Sequence, residues 1–264
     1  AGIDASEVDL IVCGTCTPDK AFPSVACIVQ EAIGATNAWA FDLNAACTGF
    51  LYSTETARRM IESGAARTAL VLGAETTSTL VDFSDRTTCV LFGDGAGAVV
   101  LRAGDGGGII DSLMGSDGSL AHLLHVSGGG SRNLTEEEQD AQNAPRAIRM
   151  IGKDVFKHAV TRMVETCKVL MERNGLGVDD IALVVPHQAN VRIIQGVQQR
   201  VGMPEEKIFV NVSKYGNTSA ASVPIALDDA ARLGRIKEGD TILMVAFGAG
   251  FTWGATLIKW TKSS

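Results

Sequence analysis

The chain runs through the same series of elements twice. An apolar run, Leu10-Ile11-Val12, ends at Cys13-Gly14-Thr15; far downstream Leu183-Val184-Val185 ends at Pro186-His187-Gln188. Next, Phe41-Asp42-Leu43 leads to Cys47 and Val210-Asn211-Val212 leads to Asn217. Each opens a helical pattern that closes on a glycine seventeen residues later, Gly64 and Gly234. Glycine suits the left-handed residue that ends a helix. Apolar strands follow, Ala69-Leu70-Val71-Leu72 and Thr241-Ile242-Leu243-Met244-Val245. A strand–turn–strand closes each series: Phe92-Gly93-Asp94-Gly95 before Ala98-Val99-Val100-Leu101, and Phe247-Gly248-Ala249-Gly250 before Ala255-Thr256-Leu257-Ile258. Uninterrupted apolar strands alternating with helices are buried on both faces, which calls for mostly parallel sheets. The closing strand pairs should supply antiparallel edges. On this alignment Cys47 and Asn217 stand at equivalent helix N-termini, one from each half.

The repeat divides the chain into residues 1–108, a connection over residues 109–150, and residues 151–264. The stretch 104–149 breaks the pattern with Gly106-Gly107-Gly108, Gly128-Gly129-Gly130 and the acidic run Glu136-Glu137-Glu138, and reads as loops bordering a cleft. Phe156, Val160, Met163, Val164, Cys167, Leu170 and Met171 then fall at helical spacing and predict a helix over residues 153–174.

Composition removes several classes. At 264 residues and 46% hydrophobic, the chain can bury a full core. A net charge of -7 argues against nucleic acid as a partner. Six cysteines in a chain too large to need staples read as free thiols in a reducing compartment. No signal peptide opens the chain. The uncharged stretch over residues 242–258 is short and broken by Gly248, Gly250 and Gly254, so it reads as two strands and a turn rather than a membrane span. The chain starts at Ala1 within what reads as a helix end, so a preceding segment is expected to be missing.

Three residues carry the chemistry. A helix N-terminus presents free N–H groups and positive partial charge, which favour thiolate at Cys47, and Ala45, Ala46 and Gly49 leave room around the sulfur. The N–H of Cys47 can donate to an oxyanion. His187 is the one histidine of four at a strand C-terminus, where ligands gather in α/β sheets. Asn217 alone would be an N-cap; with the other two it becomes a second donor opposite the thiol. Cys13-Gly14-Thr15-Cys16 has no second pair, so zinc is not expected. Gly248-Ala249-Gly250 precedes a strand, not the helix a dinucleotide turn needs.

At these residues the chain resembles the β-ketoacyl-acyl-carrier-protein synthases III. The resemblance lies in Ala21-Phe22-Pro23-Ser24 and residues 42–50, 91–98, 185–194, 216–227 and 246–254, and so extends over nearly the whole chain. It implies an α/β, thiolase-like five-layer αβαβα fold from two duplicated halves with mixed, mostly parallel sheets. It implies an enzyme in which Cys47 takes an acyl group from acyl-coenzyme A. His187 and Asn217 then stabilise the enolate formed as malonyl-acyl-carrier protein loses carbon dioxide, and the enolate attacks acyl-Cys47. The oxyanion would meet the N–H groups of Cys47 and of Ala249 and Gly250. Coenzyme A or carrier contacts would come from Arg86, Phe156, Lys157, Asn190 and Arg192. Lys157 and Arg192, with Arg200 and Lys214, would form a basic patch, although Arg200 and Lys214 read better as solvated surface charges. Phe22 would enter the acyl pocket of a second copy, implying a homodimer. No metal or other cofactor is implied, nor a membrane or nucleic acid, and the setting would be the cytoplasm or a plastid stroma. Family members begin with a further strand and helix, carrying part of the adenine site, that this chain lacks. Rival readings are a related synthase priming polyketide or quinolone synthesis, a cysteine-dependent thioester hydrolase, and a non-catalytic carrier-binding module.

Overall fold

The computed structural model describes residues 1–104, 106–135 and 146–261; the acidic run at Glu136 lies outside them. The first half builds β1 (Leu10–Gly14), α1 (Val25–Ile33), β2 (Trp39–Leu43), α2 (Gly49–Glu62), β3 (Thr68–Thr76) and β4 (Asp94–Arg102). Then come β5 (Gly108–Ser116), a short ribbon of β6 (Leu124–Val126) and β7 (Ile148–Met150), and α3 (Gly152–Arg173). The second half adds β8 (Leu183–Pro186), α4 (Val191–Val201), α5 (Val212–Tyr215), α6 (Ser222–Arg232), β9 (Thr241–Gly248) and β10 (Thr252–Lys259).

Two four-stranded sheets result, ordered β2-β1-β3-β4 and β5-β10-β9-β8. Pairing is parallel for β1 with β2 and β3 and for β8 with β9, and antiparallel where β4 joins β3 and β10 joins β9. The apolar faces of α2 and α6 lie between the sheets, where Phe50, Leu51, Val223, Ala226 and Leu227 pack with Val12, Val71, Val185, Met244 and Ala246. Beyond the second sheet α3 and α4 cover Val184, Leu243, Val245 and Leu257 through Val160, Met163, Leu170 and Val197. Beyond the first sheet α1 covers Ile11 and Cys13. The layers are therefore helix, sheet, helix, sheet, helix, and both sheets are apolar throughout because helices cover both faces.

Local chemistry fixes the ends of these elements. Ser24 Oγ caps α1 by accepting from Cys27 N, while the Asp42 carboxylate on β2 accepts from Val25 N and Ala26 N at 2.8 and 2.9 Å. A carboxylate there satisfies two orphan donors and opposes the helix dipole. Asn190 caps α4 through Ile193 N, and Gly202 ends it at φ 80°.

Three expectations are corrected. First, residues 104–149 are not all loops: β5 runs from Gly108 to Ser116 and hydrogen-bonds β10, so β10 is interior and only β4 is an antiparallel closing strand at a sheet edge. Second, Val210-Asn211-Val212 forms no strand. Pairing in that stretch is a single bridge between Ile208 and Val184, and Val212 already begins α5. Third, the alignment of the halves shifts by three residues. Each half turns into its inner helix through a short 3-10 turn, Ala46–Thr48 before α2 and Ser219–Ala221 before α6. The first residue of each turn is left-handed, Ala46 at φ 46° and Ser219 at φ 49°. In each an asparagine two residues earlier accepts the turn's first N–H, Asn44 Oδ1 from Ala46 and Asn217 Oδ1 from Ser219. Asn44 therefore corresponds to Asn217, and Cys47 to Ala220. The seventeen-residue match arose because α2, at 14 residues, is three longer than α6, at 11.

The two turns meet at the centre of the molecule and each leans on the opposite half. A Cβ on Gly73 of β3 would lie 2.3 Å from Ala220 O, and one on Gly248 of β9 would lie 2.7 Å from Cys47 N. Only glycine permits these approaches.

Candidate active site

Cys47, His187 and Asn217 line one cavity of about 630 Å³, walled by Leu91, Phe92, Met163 and Phe247 among others. The cavity gathers the turns that follow β2 and β8 and the one that precedes α6.

Ala46 in the left-handed region makes the chain turn sharply before Cys47. Burial pushes the Cys47 thiol up to about 11; the contacts from Ser219 and its own N–H work against this, and the Glu75 charge adds to it. The expected thiolate is therefore not the resting form: desolvation of the charge outweighs the helix end. Gly248 lies against Cys47 N, and Ala249 and Gly250, both half-buried, follow it, although none of the three is among the cavity's lining residues.

His187 follows β8 and is 2% exposed. Its Nδ1 lies 2.5 Å from Ser222 Oγ, which also accepts from Gln188 N at 3.3 Å. A hydroxyl has one proton to give. Given to Nδ1, that proton leaves the imidazole's own on Nε2, the tautomer that offers a donor away from Ser222. Burial lowers the His187 pKa from 6.5 to about 4. The ring is thus neutral at pH 7, with an Nε2–H donor on the unengaged side.

This shift fixes a pH dependence. The unfolded chain binds the His187 proton more readily than the folded one, so its contribution to stability is complete above about pH 6.5 and lost as pH falls towards 4. The loss is on the order of 3 kcal/mol across that window. Urea unfolding at pH 7 and pH 4.5 is expected to show a larger drop for wild type than for His187→Gln. Equal drops would mean that His187 titrates normally.

Asn217 is held from both sides. Its N–H donates to Leu91 O at 2.8 Å and its O accepts from Gly93 N at 3.0 Å, pinning it to the first half. Its Oδ1 accepts from Ser219 N at 2.9 Å, which commits the carbonyl end and leaves the NH₂ as the donor side. The cavity therefore collects one thiol and two neutral donors.

Of the other sequence candidates, Phe156, Asn190 and Arg192 line this cavity. The Asn190 Oδ1 is occupied as the α4 cap. Arg86 and Lys157 are exposed and are not among its lining residues. Arg200 is exposed near the end of α4, eight residues and about 12 Å along the helix from Arg192. Lys214 pairs with Asp229 at 3.8 Å and sits 4.6 Å from the Tyr215 ring centroid. Phe22 is 84% exposed. Lys153, absent from the sequence reading, lines the cavity instead of Lys157. Helical spacing carried it, because residues three or four apart share a face and 153, 156, 159 and 163 follow that rule. Ser219 and Ser222 were also missed; nothing in the pattern Ser219-Ala220-Ala221-Ser222 marks a hydroxyl as a partner of a distant thiol or imidazole.

The chain matches the description 3-oxoacyl-[acyl-carrier-protein (ACP)] synthase III over residues 41–118 and that family's C-terminal region over residues 171–260. A β-ketoacyl-[acyl-carrier-protein] synthase III of Clostridioides difficile is 49% identical over 261 residues, covering 99% of this chain and 79% of the relative. The solved 3-oxoacyl-[acyl-carrier-protein] synthase III of Aquifex aeolicus VF5 superposes with a TM-score of 0.89 at 48% identity, over 98% of this chain and 80% of that one. The priming β-ketosynthase of the R1128 polyketide pathway superposes with a TM-score of 0.88 at 38% identity, over 98% and 77%. The fold is the thiolase fold, here in an acyltransferase. The chain belongs to the β-ketoacyl-acyl-carrier-protein synthase III family.

Proposed function

We propose that this chain joins an acyl group from acyl-coenzyme A to malonyl-acyl-carrier protein by decarboxylative condensation, the first carbon–carbon bond of fatty acid synthesis. The observation that carries the reading is the meeting of one thiol and two neutral donors in a single cavity between the halves.

In the first step the Cys47 sulfur attacks the thioester carbonyl. The oxyanion is met by the N–H of Cys47 and by those of Ala249 and Gly250, and its collapse expels coenzyme A, which leaves with the thiol proton. Burial holds the thiol up at about 11, so it must give up its proton as it attacks, and that proton leaves with coenzyme A. In the second step the bond from the malonyl carbon to its carboxylate breaks and the electron pair moves into the thioester as an enolate. His187 Nε2–H and the Asn217 NH₂ donate to the enolate oxygen. Both are neutral, so they stabilise the developing charge by hydrogen bonding, without transferring a proton. The enolate carbon attacks acyl-Cys47, the sulfur leaves and is reprotonated, and a β-ketoacyl thioester is released. The sequence of steps uses no metal or redox cofactor.

Lys153 and Arg192, beside Phe156, supply positive charge and an apolar surface for a phosphate-bearing pantetheine arm. The exposed Phe22 is read as the residue that enters a second copy's acyl pocket, in a homodimer working in the cytoplasm. Among the described residues no helix is long and apolar enough to cross a membrane. The halves are read as residues 1–108 and 151–264, with 109–150 between them.

The reading is tested by supplying acetyl-coenzyme A and malonyl-acyl-carrier protein and weighing the carrier. Acetoacetyl-carrier protein is expected. Free acetate with no condensed product would instead indicate thioester hydrolysis.

A further inference from the structure

The two central turns correspond in backbone but differ in what faces them. Beside Cys47 the turn borders the cavity; beside Ala220 it borders a carboxylate. Glu75, near the end of β3, is 4% exposed. Its Oε1 accepts from Ser219 Oγ at 3.0 Å and, more weakly, from Ala220 N at 3.5 Å. Its Oε2 accepts from Thr17 Oγ1 at 2.6 Å, Cys16 N at 3.2 Å and Thr15 Oγ1 at 3.4 Å. The Cys16 thiol also donates to it, at 3.3 and 3.4 Å. A buried carboxylate is costly unless donors surround it, and here they come from both halves. Ser219 is the hub. Its N–H holds the Asn217 carbonyl end, and its hydroxyl donates to Glu75.

We propose that Glu75 is a positioning residue of the condensation site, acting through Ser219 on Asn217. This rests on the reading of Cys47 as nucleophile and Asn217 as enolate donor. By accepting the single Ser219 hydroxyl proton, Glu75 fixes a left-handed residue that would otherwise relax, and with it the direction of the Asn217 NH₂. The titratable groups facing this network are Cys13 and Cys16 from the β1 side, Glu75 from β3, Cys47 from the first turn and His187 after β8; Asp42 on β2 faces Cys13.

Glu75→Gln keeps the shape and removes the charge. The midpoint for alkylation of Cys47 by iodoacetamide, followed site by site after digestion, is expected to fall by about one pH unit. Malonyl thioester decarboxylation is expected to lose about ten-fold in kcat with KM unchanged. In a Ser219→Ala background Glu75→Gln should cost little further decarboxylation, because the bond it weakens is already gone. Ser219→Ala alone removes the hydroxyl that Glu75 accepts and should lower decarboxylation kcat by a similar factor with KM unchanged; this variant carries the test if Glu75→Gln does not fold. Unchanged decarboxylation in E75Q, or in S219A, would overturn the proposal. Wild-type acylation by acetyl-coenzyme A, run in parallel, tests the underlying reading separately: no acyl adduct would overturn the nucleophile assignment, whatever the Glu75 variants do.

Discussion

His187→Ala and Asn217→Ala are each expected to lower condensation by 10²–10³-fold while leaving acylation of Cys47 within a few-fold of wild type. Each removes one neutral donor from the enolate oxygen and leaves the thiol, its N–H and Gly248 unchanged. The separation is the diagnostic part: the defect should appear in malonyl decarboxylation, measured as released carbon dioxide, and not in the acylation burst. The double variant should fall less than the product of the singles, because one donor without the other no longer orients the thioester. His187→Gln should retain more activity than His187→Ala, since a donor remains near the Nε2 position. The pH profile adds a second check. With its pKa lowered to about 4, His187 keeps its Nε2–H neutral at mild acidity, so decarboxylation should show no loss attributable to imidazole protonation between pH 6.5 and 5. A rate that halves near pH 6.5 would mean that the ring titrates as a solvated histidine.

Gly248→Ala should do the opposite, removing acylation and sparing decarboxylation. A methyl group at this position falls 2.7 Å from Cys47 N and 3.2 Å from its Cα and Cβ. Contacts this short with backbone cannot be relieved by a rotamer change, so either β9 or the Cys47 turn must move by several tenths of an ångström. The Cys47 N–H is one of the donors assigned to the first oxyanion, and a displacement of that size is expected to cost about 10²-fold in acylation rate. His187 and Asn217 are anchored elsewhere, by Ser222 and by Leu91 and Gly93, so decarboxylation should survive. Stopped-flow release of coenzyme A thiol measures the first step directly. Undiminished acylation in Gly248→Ala would show that the strand and turn give way without consequence. The reciprocal contact, Gly73 against Ala220 O, sits away from the thiol; Gly73→Ala should therefore cost stability rather than selectively removing acylation.

Much of this organisation could be read from the residues because burial writes itself into sequence. Runs such as Leu10-Ile11-Val12 and Leu183-Val184-Val185 are apolar throughout because helices cover both faces of each sheet, and those runs exposed the duplication. His187 and Cys47 were found because strand ends and helix starts are where α/β folds gather polar groups. What was not legible depends on geometry that periodicity does not encode. The register of the repeat was misjudged by three residues because helix length, 14 against 11, is invisible when both helices end in glycine. The strand expected at Val210 dissolved because its pairing reduces to the Ile208–Val184 bridge. The state of the thiol went the other way from expectation because a helix end can be seen in sequence, whereas the desolvation that outweighs it cannot. Glu75, Ser219 and Ser222 escaped notice for a related reason: each acts on a group from a remote part of the chain, across 144 residues in the case of Glu75 and Ser219.

The most direct test of the account is intact-protein mass spectrometry after brief exposure to acetyl-coenzyme A and longer acyl esters, with digestion to locate the adduct. The account predicts a single acyl addition on Cys47 that is absent in Cys47→Ala, with that variant still decarboxylating malonyl-acyl-carrier protein through His187 and Asn217. An acyl group on another cysteine, or one that persists in Cys47→Ala, would contradict it.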